Sequence, residues 1–146
     1  MEKIMNREIK FRVWNNDISK WEDNGGLGYI LSEYSESDDC LNKVFDNSYA
    51  ELIFQQFTGF LDKKGKEIYE GDIIDTRVSD DCIPDLEKHK YTLIVFFSDN
   101  GSWEAKEKMD QFSGSCFPFH SDHYKILLDK TKVIGNIFEN PELCAK

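Results

Sequence analysis

Residues 58–74 read TGFLDKKGKEIYEGDII, and the architecture of the chain turns on how this stretch is punctuated. Gly59, Gly65 and Gly71 recur at intervals of six residues. That spacing suits a chain that turns, runs a short strand and bends again. Glycine takes backbone angles there that cost other residues about 1 kcal/mol or more. Gly65 lies within the charged run Asp62 to Lys66, the composition of a hairpin tip. Gly71 stands just before an alternating stretch, so a bulge or a positive φ is expected at it. Tyr69 can bury its ring while its hydroxyl stays wet, and Asp72 is placed to accept local N–H bonds at a turn. The segment reads as a fold determinant, and Gly135 and Asn136 near the end of the chain join Gly59, Gly65, Tyr69, Gly71 and Asp72 in that role.

Working outward, Ile9 to Trp14 alternates strictly, with Ile9, Phe11 and Val13 on one face and Lys10, Arg12 and Trp14 on the other, the period of a half-buried strand. The Asn15-Asn16-Asp17 cluster suits positive φ and side-chain-to-backbone bonds, so a turn follows, with Trp21 starting a return strand. A short strand is expected near Tyr29 to Ser32, and Leu41 to Leu52 is undecided between a short helix and an irregular excursion. Leu52 to Gly59 and Ile73 to Val78 have strand composition, and Ser79 to His89 is a polar excursion. Tyr91 to Phe97, short, β-branched and aromatic, is a central strand. Ser98-Asp99-Asn100-Gly101 predicts a tight mirror-image turn into a partner strand from Ser102. Gln111 to His123 is an aromatic-rich loop, Tyr124 to Asp129 is a strand or a turn of helix, and Lys132 to Glu139 is a last strand interrupted by Gly135. Many short strands with close turns predict a mainly β, β-dominated α+β fold of antiparallel strands, with a small SH3-like, partly open barrel in the C-terminal part. The expected division is 1–58, an N-terminal β-hairpin region with an acidic insertion, and 59–146, a small β-barrel-like region, the two forming one compact unit.

A chain of 146 residues with 11 Phe, 6 Tyr and 3 Trp carries enough apolar material for a packed core without staples. Acids outnumber bases 28 to 18, for a formal charge of −10. The excess is shared evenly, with 11 acids and 6 bases in residues 1–58 and 17 and 12 in the rest. Such a chain has no global field to draw in nucleic acid or anionic lipid, and the longest basic run is Lys63-Lys64-Gly65-Lys66. No apolar run has the length of about 20 residues that a membrane helix needs, and the N-terminus lacks a signal-like apolar core, so a cytoplasmic location is expected. Cys40, Cys82, Cys116 and Cys144 show no CxxC spacing and read as thiols.

The chemistry-bearing residue types gather weakly. Cys116, His120 and His123 are the best metal-like set, with Asp122 among them, yet they supply three ligands where a structural zinc wants four. His89 lies alone in a charged stretch. Ser113-Gly114-Ser115-Cys116 near His120 has nucleophile and base types but lacks the strand-to-helix elbow that would activate them. Asp38-Asp39 and Asp80-Asp81 sit in polar runs that suit solvation. Gly25-Gly26-Leu27-Gly28 lacks the features of a phosphate-cradling loop. No catalytic residue and no cofactor is implied. Of the aromatics, Phe117, Phe119 and Trp14 are the candidates for a surface that meets a partner.

Three blocks, REIKFRVWNNDISKW, QQFTGFLDKKGKEIYEGDII and VIGNIFENPEL, occur in this order and frame residues 7 to 143. Together they resemble the YopX family, small proteins found mostly in bacteriophages and prophages of Gram-positive bacteria. The resemblance implies origin and architecture and brings no catalytic residues. The function expected is that of a phage or prophage accessory protein, cytoplasmic in the host cell, which works without catalysis as a protein-binding or assembly module. Its partner would be a second copy of itself or a host or phage protein. Two alternatives stand beside it: an acidic mimic of nucleic acid that inhibits a host DNA-binding protein, and a nucleic-acid-binding small barrel, which the charge disfavours.

Overall fold

A computed structural model of the chain describes residues 8–22, 52–80, 88–107, 116–120 and 124–144. The strand expected near Tyr29 to Ser32, the undecided stretch 41–51 and the polar residues 81–87 lie outside them. The chain divides into two compact units, Met1–Phe57 and Thr58–Lys146. The division falls inside one long strand.

In the first unit, β1 (Phe11–Asn15) is the middle strand between β2 (Lys20–Trp21) and the first half of β3 (Leu52–Leu61), all antiparallel. Trp14 pairs with Trp21, and Val13 with Phe54. The expected alternation leaves the Lys10–Arg12–Trp14 side exposed, but Trp14 is buried along with Val13. The Trp21 ring meets it edge-on at 5.1 Å. The Arg12 guanidinium lies 4.2 Å over Trp21 while donating to Gln55 Oε1 at 3.1 and 2.9 Å. The supposed solvent face is therefore an aromatic–cation layer. The asparagines at the turn contribute hydrogen bonds, with Asn15 Oδ1 accepting from the amides of Asp17 and Ile18. The positive φ of the turn falls on Ser19 instead.

The second unit holds the end of β3, β4 (Glu67–Tyr69), β5 (Asp72–Thr76), β6 (Val78–Asp80), β7 (Tyr91–Phe97), β8 (Trp103–Lys106), β9 (Cys116–Pro118), β10 (Tyr124–Ile126) and β11 (Lys132–Asn136). The order β11-β5-β7-β8-β9 makes a five-stranded antiparallel sheet with β7 at its centre, curled into a half-barrel. The one-residue break at Arg77 lets β6 leave that sheet and pair with β10. Inside the curl, Ile68, Ile74, Leu93, Val95, Ala105 and Phe117 pack with Trp103, Phe119, Ile126 and Val133. The described residues form no α-helix; their helical pieces are 3-10, the turns Leu128–Lys130 and Pro141–Leu143 among them. The mainly β, antiparallel, partly open barrel read from the sequence is the fold observed.

Two local readings need correction. The turn after β7 is not of the mirror-image type. The Gly101 amide donates to the Ser98 carbonyl, Ser98 N–H donates to the Ser102 carbonyl, and only Gly101 has positive φ, at 78°. This is a three-residue loop with glycine in the left-handed position, a common alternative that also matches strand twist. The stretch read as an aromatic loop contains β9, whose Phe117 pairs with Ala105 and whose Pro118 pairs with Glu104. A Phe-Pro-Phe run hides a strand because proline argues against one, except at an edge, and β9 is the edge.

Two buried aspartates, one near each end of the 58–74 segment, fasten it to β11. Asp62 Oδ1 accepts the amides of Lys64 and Lys66 at 2.8 and 3.0 Å, closing the hairpin tip around Gly65, which has φ 80°. Its other oxygen accepts Val133 N–H at 3.1 Å, and Lys63 N–H donates to the Thr131 carbonyl at 2.9 Å. Asp72 Oδ2 accepts Tyr69 N–H at 2.8 Å, and its Oδ1 accepts from the Asn136 side-chain amide at 3.1 Å. Asn136 in turn caps the following turn, its Oδ1 accepting Phe138 N–H. Gly71, at φ 74°, carries the backbone past this point, its amide donating to Val95 and its carbonyl accepting from Ile137. Gly135 sits at the register shift in β11, where a Cβ would come 2.6 Å from Asn140 Oδ1.

Two outcomes are expected. Asp72→Ala should lower the unfolding free energy by about 2–4 kcal/mol, because it strands a buried amide and a buried backbone N–H. A double-mutant cycle with Asn136→Ala, measured by urea unfolding, should give a coupling of about 1–3 kcal/mol; strictly additive losses would mean that the two do not act together. For Asp62, burial by itself would raise the carboxyl pKa, but the amides of Lys66, Val133 and Lys64 and the Lys66 charge outweigh it and hold the value below 3.8. The unfolded chain therefore takes up the proton first. The stabilisation is complete above the unfolded pKa and drains away as pH falls through the folded one. Unfolding curves taken between about pH 6 and pH 3 should show Asp62→Asn as a less stable protein with a shallower acid limb than the parent.

Candidate functional site

The residues that the sequence nominated for chemistry do not converge. Cys116 is at the exposed start of β9 and His120 is exposed just beyond its end, while His123 and Asp122 lie outside the described residues. Among the described residues, no three His, Cys, Asp or Glu side chains come together as a metal-holding group. His89 is exposed. Among the described residues, the buried carboxylates Asp62 and Asp72 accept bonds from backbone amides and from Asn136 as described above, which leaves their charge matched within the fold.

The three aromatics nominated for a partner surface are core residues. Phe117 and Phe119 are 3% and 4% exposed, and Trp14 is 5% exposed. Phe119 stacks on Phe60 at 5.2 Å, and Phe117 tilts against Tyr91 at 5.2 Å. The alternation of β9 explains this, since pairing Phe117 with the fully buried Ala105 turns its ring into the curl.

Among the described residues, the aromatic classed as exposed is Phe97, the last residue of β7, at 48% exposure. It is the cross-strand partner of Trp103, and the two rings meet edge-to-face at 5.0 Å. Trp103 is buried, and its indole N–H has no hydrogen-bond partner among the described residues. Ser98 and Ser102 tie the adjoining loop, their hydroxyls 3.2 Å apart, with Ser102 also donating to Glu104. The exposed ring thus rests against a buried one, and the strand that carries it runs into a closed turn. Sequence reading passed over it because Phe97 belongs to the most apolar run in the chain, where burial is the natural expectation. The signal available was positional: the last residue before a turn is the first to leave the core.

The family model of the YopX protein matches residues 10–145. This chain belongs to the YopX family. None of the curated proteins matches its sequence at a significant level. Among solved structures, the crystal structure of protein EF1440 from Enterococcus faecalis is similar, with 20% identity and a TM-score of 0.46 over 94% of this chain and 98% of that one. Of the three blocks that carried the YopX resemblance, the middle and the closing one are joined in space by Asp62, Asp72 and Asn136.

Thiol chemistry in this YopX chain should be uneven. Cys116 is exposed, whereas burial, and then the Glu142 charge, push the half-buried Cys144 thiol up from its ordinary value. Alkylation with iodoacetamide near neutral pH, followed by peptide mass mapping, should modify Cys116 several-fold faster than Cys144; equal rates would show that the difference in setting is ineffective.

Proposed function

We propose that this protein is a phage or prophage accessory protein that works without catalysis, as a protein-binding or assembly module, in the host cytoplasm. The observation that carries the reading is Phe97. A large ring left half in water is an unfavourable arrangement, since full burial of a Phe side chain is worth about 1.5–3 kcal/mol. Here that ring also packs edge-to-face on the buried Trp103, at the entrance to the closed Ser98–Ser102 loop. Aromatic side chains make good anchors because they have little rotamer freedom to lose when a partner covers them. The motif residues support the same reading, because their hydrogen bonds are directed inward at the fold. Among the described residues, no helix is long and apolar enough to cross a membrane.

The test places a photo-crosslinking phenylalanine analogue at position 97 and, as a control, at the exposed Glu139. Irradiation in host lysate and of the purified protein should yield one discrete adduct from position 97 alone, either a second copy of the chain or a single partner. Identical adduct patterns from both positions, or none from position 97, would overturn the reading. Light scattering at micromolar concentration then separates self-assembly from binding of another protein.

A further inference from the structure

The hairpin tip and the start of β11 form a basic rim on an acidic protein. Lys63, Lys64 and Lys66 are exposed on the turn that Asp62 closes. The bond from Lys63 N–H to the Thr131 carbonyl brings in Lys130 and Lys132, which flank Thr131 and are exposed as well. Two distant segments that carry five exposed lysines thus meet at one backbone contact. The carboxylates beside them are Asp62, which is buried, Asp129, 3.1 Å from Lys130 Nζ, and Asp75, the cross-strand partner of Lys132, which is ion-paired with Lys90. On a chain of formal charge −10 this is a local reversal of sign.

We infer that this rim binds the phosphate backbone of nucleic acid without reading bases. Composition supports phosphate over an acidic protein surface. All five cations are lysine, which is depleted at protein–protein interfaces, yet serves phosphate as a point charge and releases condensed counterions on binding it. The turn is closed by three backbone-to-Asp62 or backbone-to-Thr131 bonds and by Gly65 in its left-handed conformation, so the charges are mounted on a defined scaffold. At physiological ionic strength charges act over about 8 Å, so the rim operates locally while the acidic remainder keeps the affinity modest. This inference does not rest on the role proposed for Phe97.

The test is fluorescence anisotropy with labelled DNA of about 20 nucleotides, single- and double-stranded, over about 20–200 mM salt. Saturable binding at the low end is expected, and it should weaken steeply as salt rises. Replacing Lys63, Lys64 and Lys66 together by Gln should weaken it at least about tenfold and flatten the log–log salt slope by about 2–3, at 0.7–0.9 per lost phosphate contact. Lys130→Gln with Lys132→Gln should weaken it too, while Lys20→Gln, in the other unit, should leave it unchanged. Absence of binding at the lowest salt would overturn the inference, as would parental affinity in the triple variant. Equal binding of polyglutamate with the same sensitivity would also overturn it, by assigning the rim to an acidic polypeptide.

Discussion

The second unit depends on a carboxylate with nowhere else to go. Asp72 is buried, and its two oxygens accept from Tyr69 N–H and from the Asn136 side chain. An ionised group withdrawn from water without partners costs several kcal/mol. The bend at Gly71, the entry into β5 and the end of β11 must therefore be correct together or not at all. Asp62 repeats the device ten residues earlier, joining the hairpin tip to the other end of the same strand. The Asn136 and Val133 bonds span 64 and 71 residues of chain. Such separations carry a large loop-closure entropy, which the sheet as a whole must offset.

That separation explains what could be read in the sequence. Signals that act within a few residues were visible: glycine at the hairpin tip and before β5, the asparagine-rich turn after β1, and the apolar run that became the central strand. Asp72 was correctly seen as an acceptor at a turn, but its second partner is a side chain far along the chain. No local pattern points across that distance; only the family resemblance did, by placing the two blocks in one frame. β9 was missed because its single-residue stagger of Phe, Pro and Phe looks irregular until β8 supplies the partner edge.

Surface features were the hardest to read, because each is a product of folding. Phe97 ends the most apolar run in the chain and Phe117 stands in a mixed stretch that read as a loop, yet the first is left exposed beside a turn and the second faces a fully buried alanine. Charge behaves likewise. A count over the chain gives −10 in total, whereas the bond between Lys63 and Thr131 brings together two lysine-bearing segments, 63–66 and 130–132, that the sequence keeps more than sixty residues apart. The middle and closing blocks that identify the family hold β5 and β11 in place through Asp62, Asp72 and Asn136.

Pro118 has one more effect. It closes the three-residue edge strand of the five-stranded sheet, and proline presents no N–H there to an incoming strand. At the opposite edge, the Val133 amide and the Thr131 carbonyl are already occupied by the hairpin tip. Both margins are therefore poor templates for strand addition, and an open half-barrel rich in β-branched and aromatic residues is guarded against growing into fibrils.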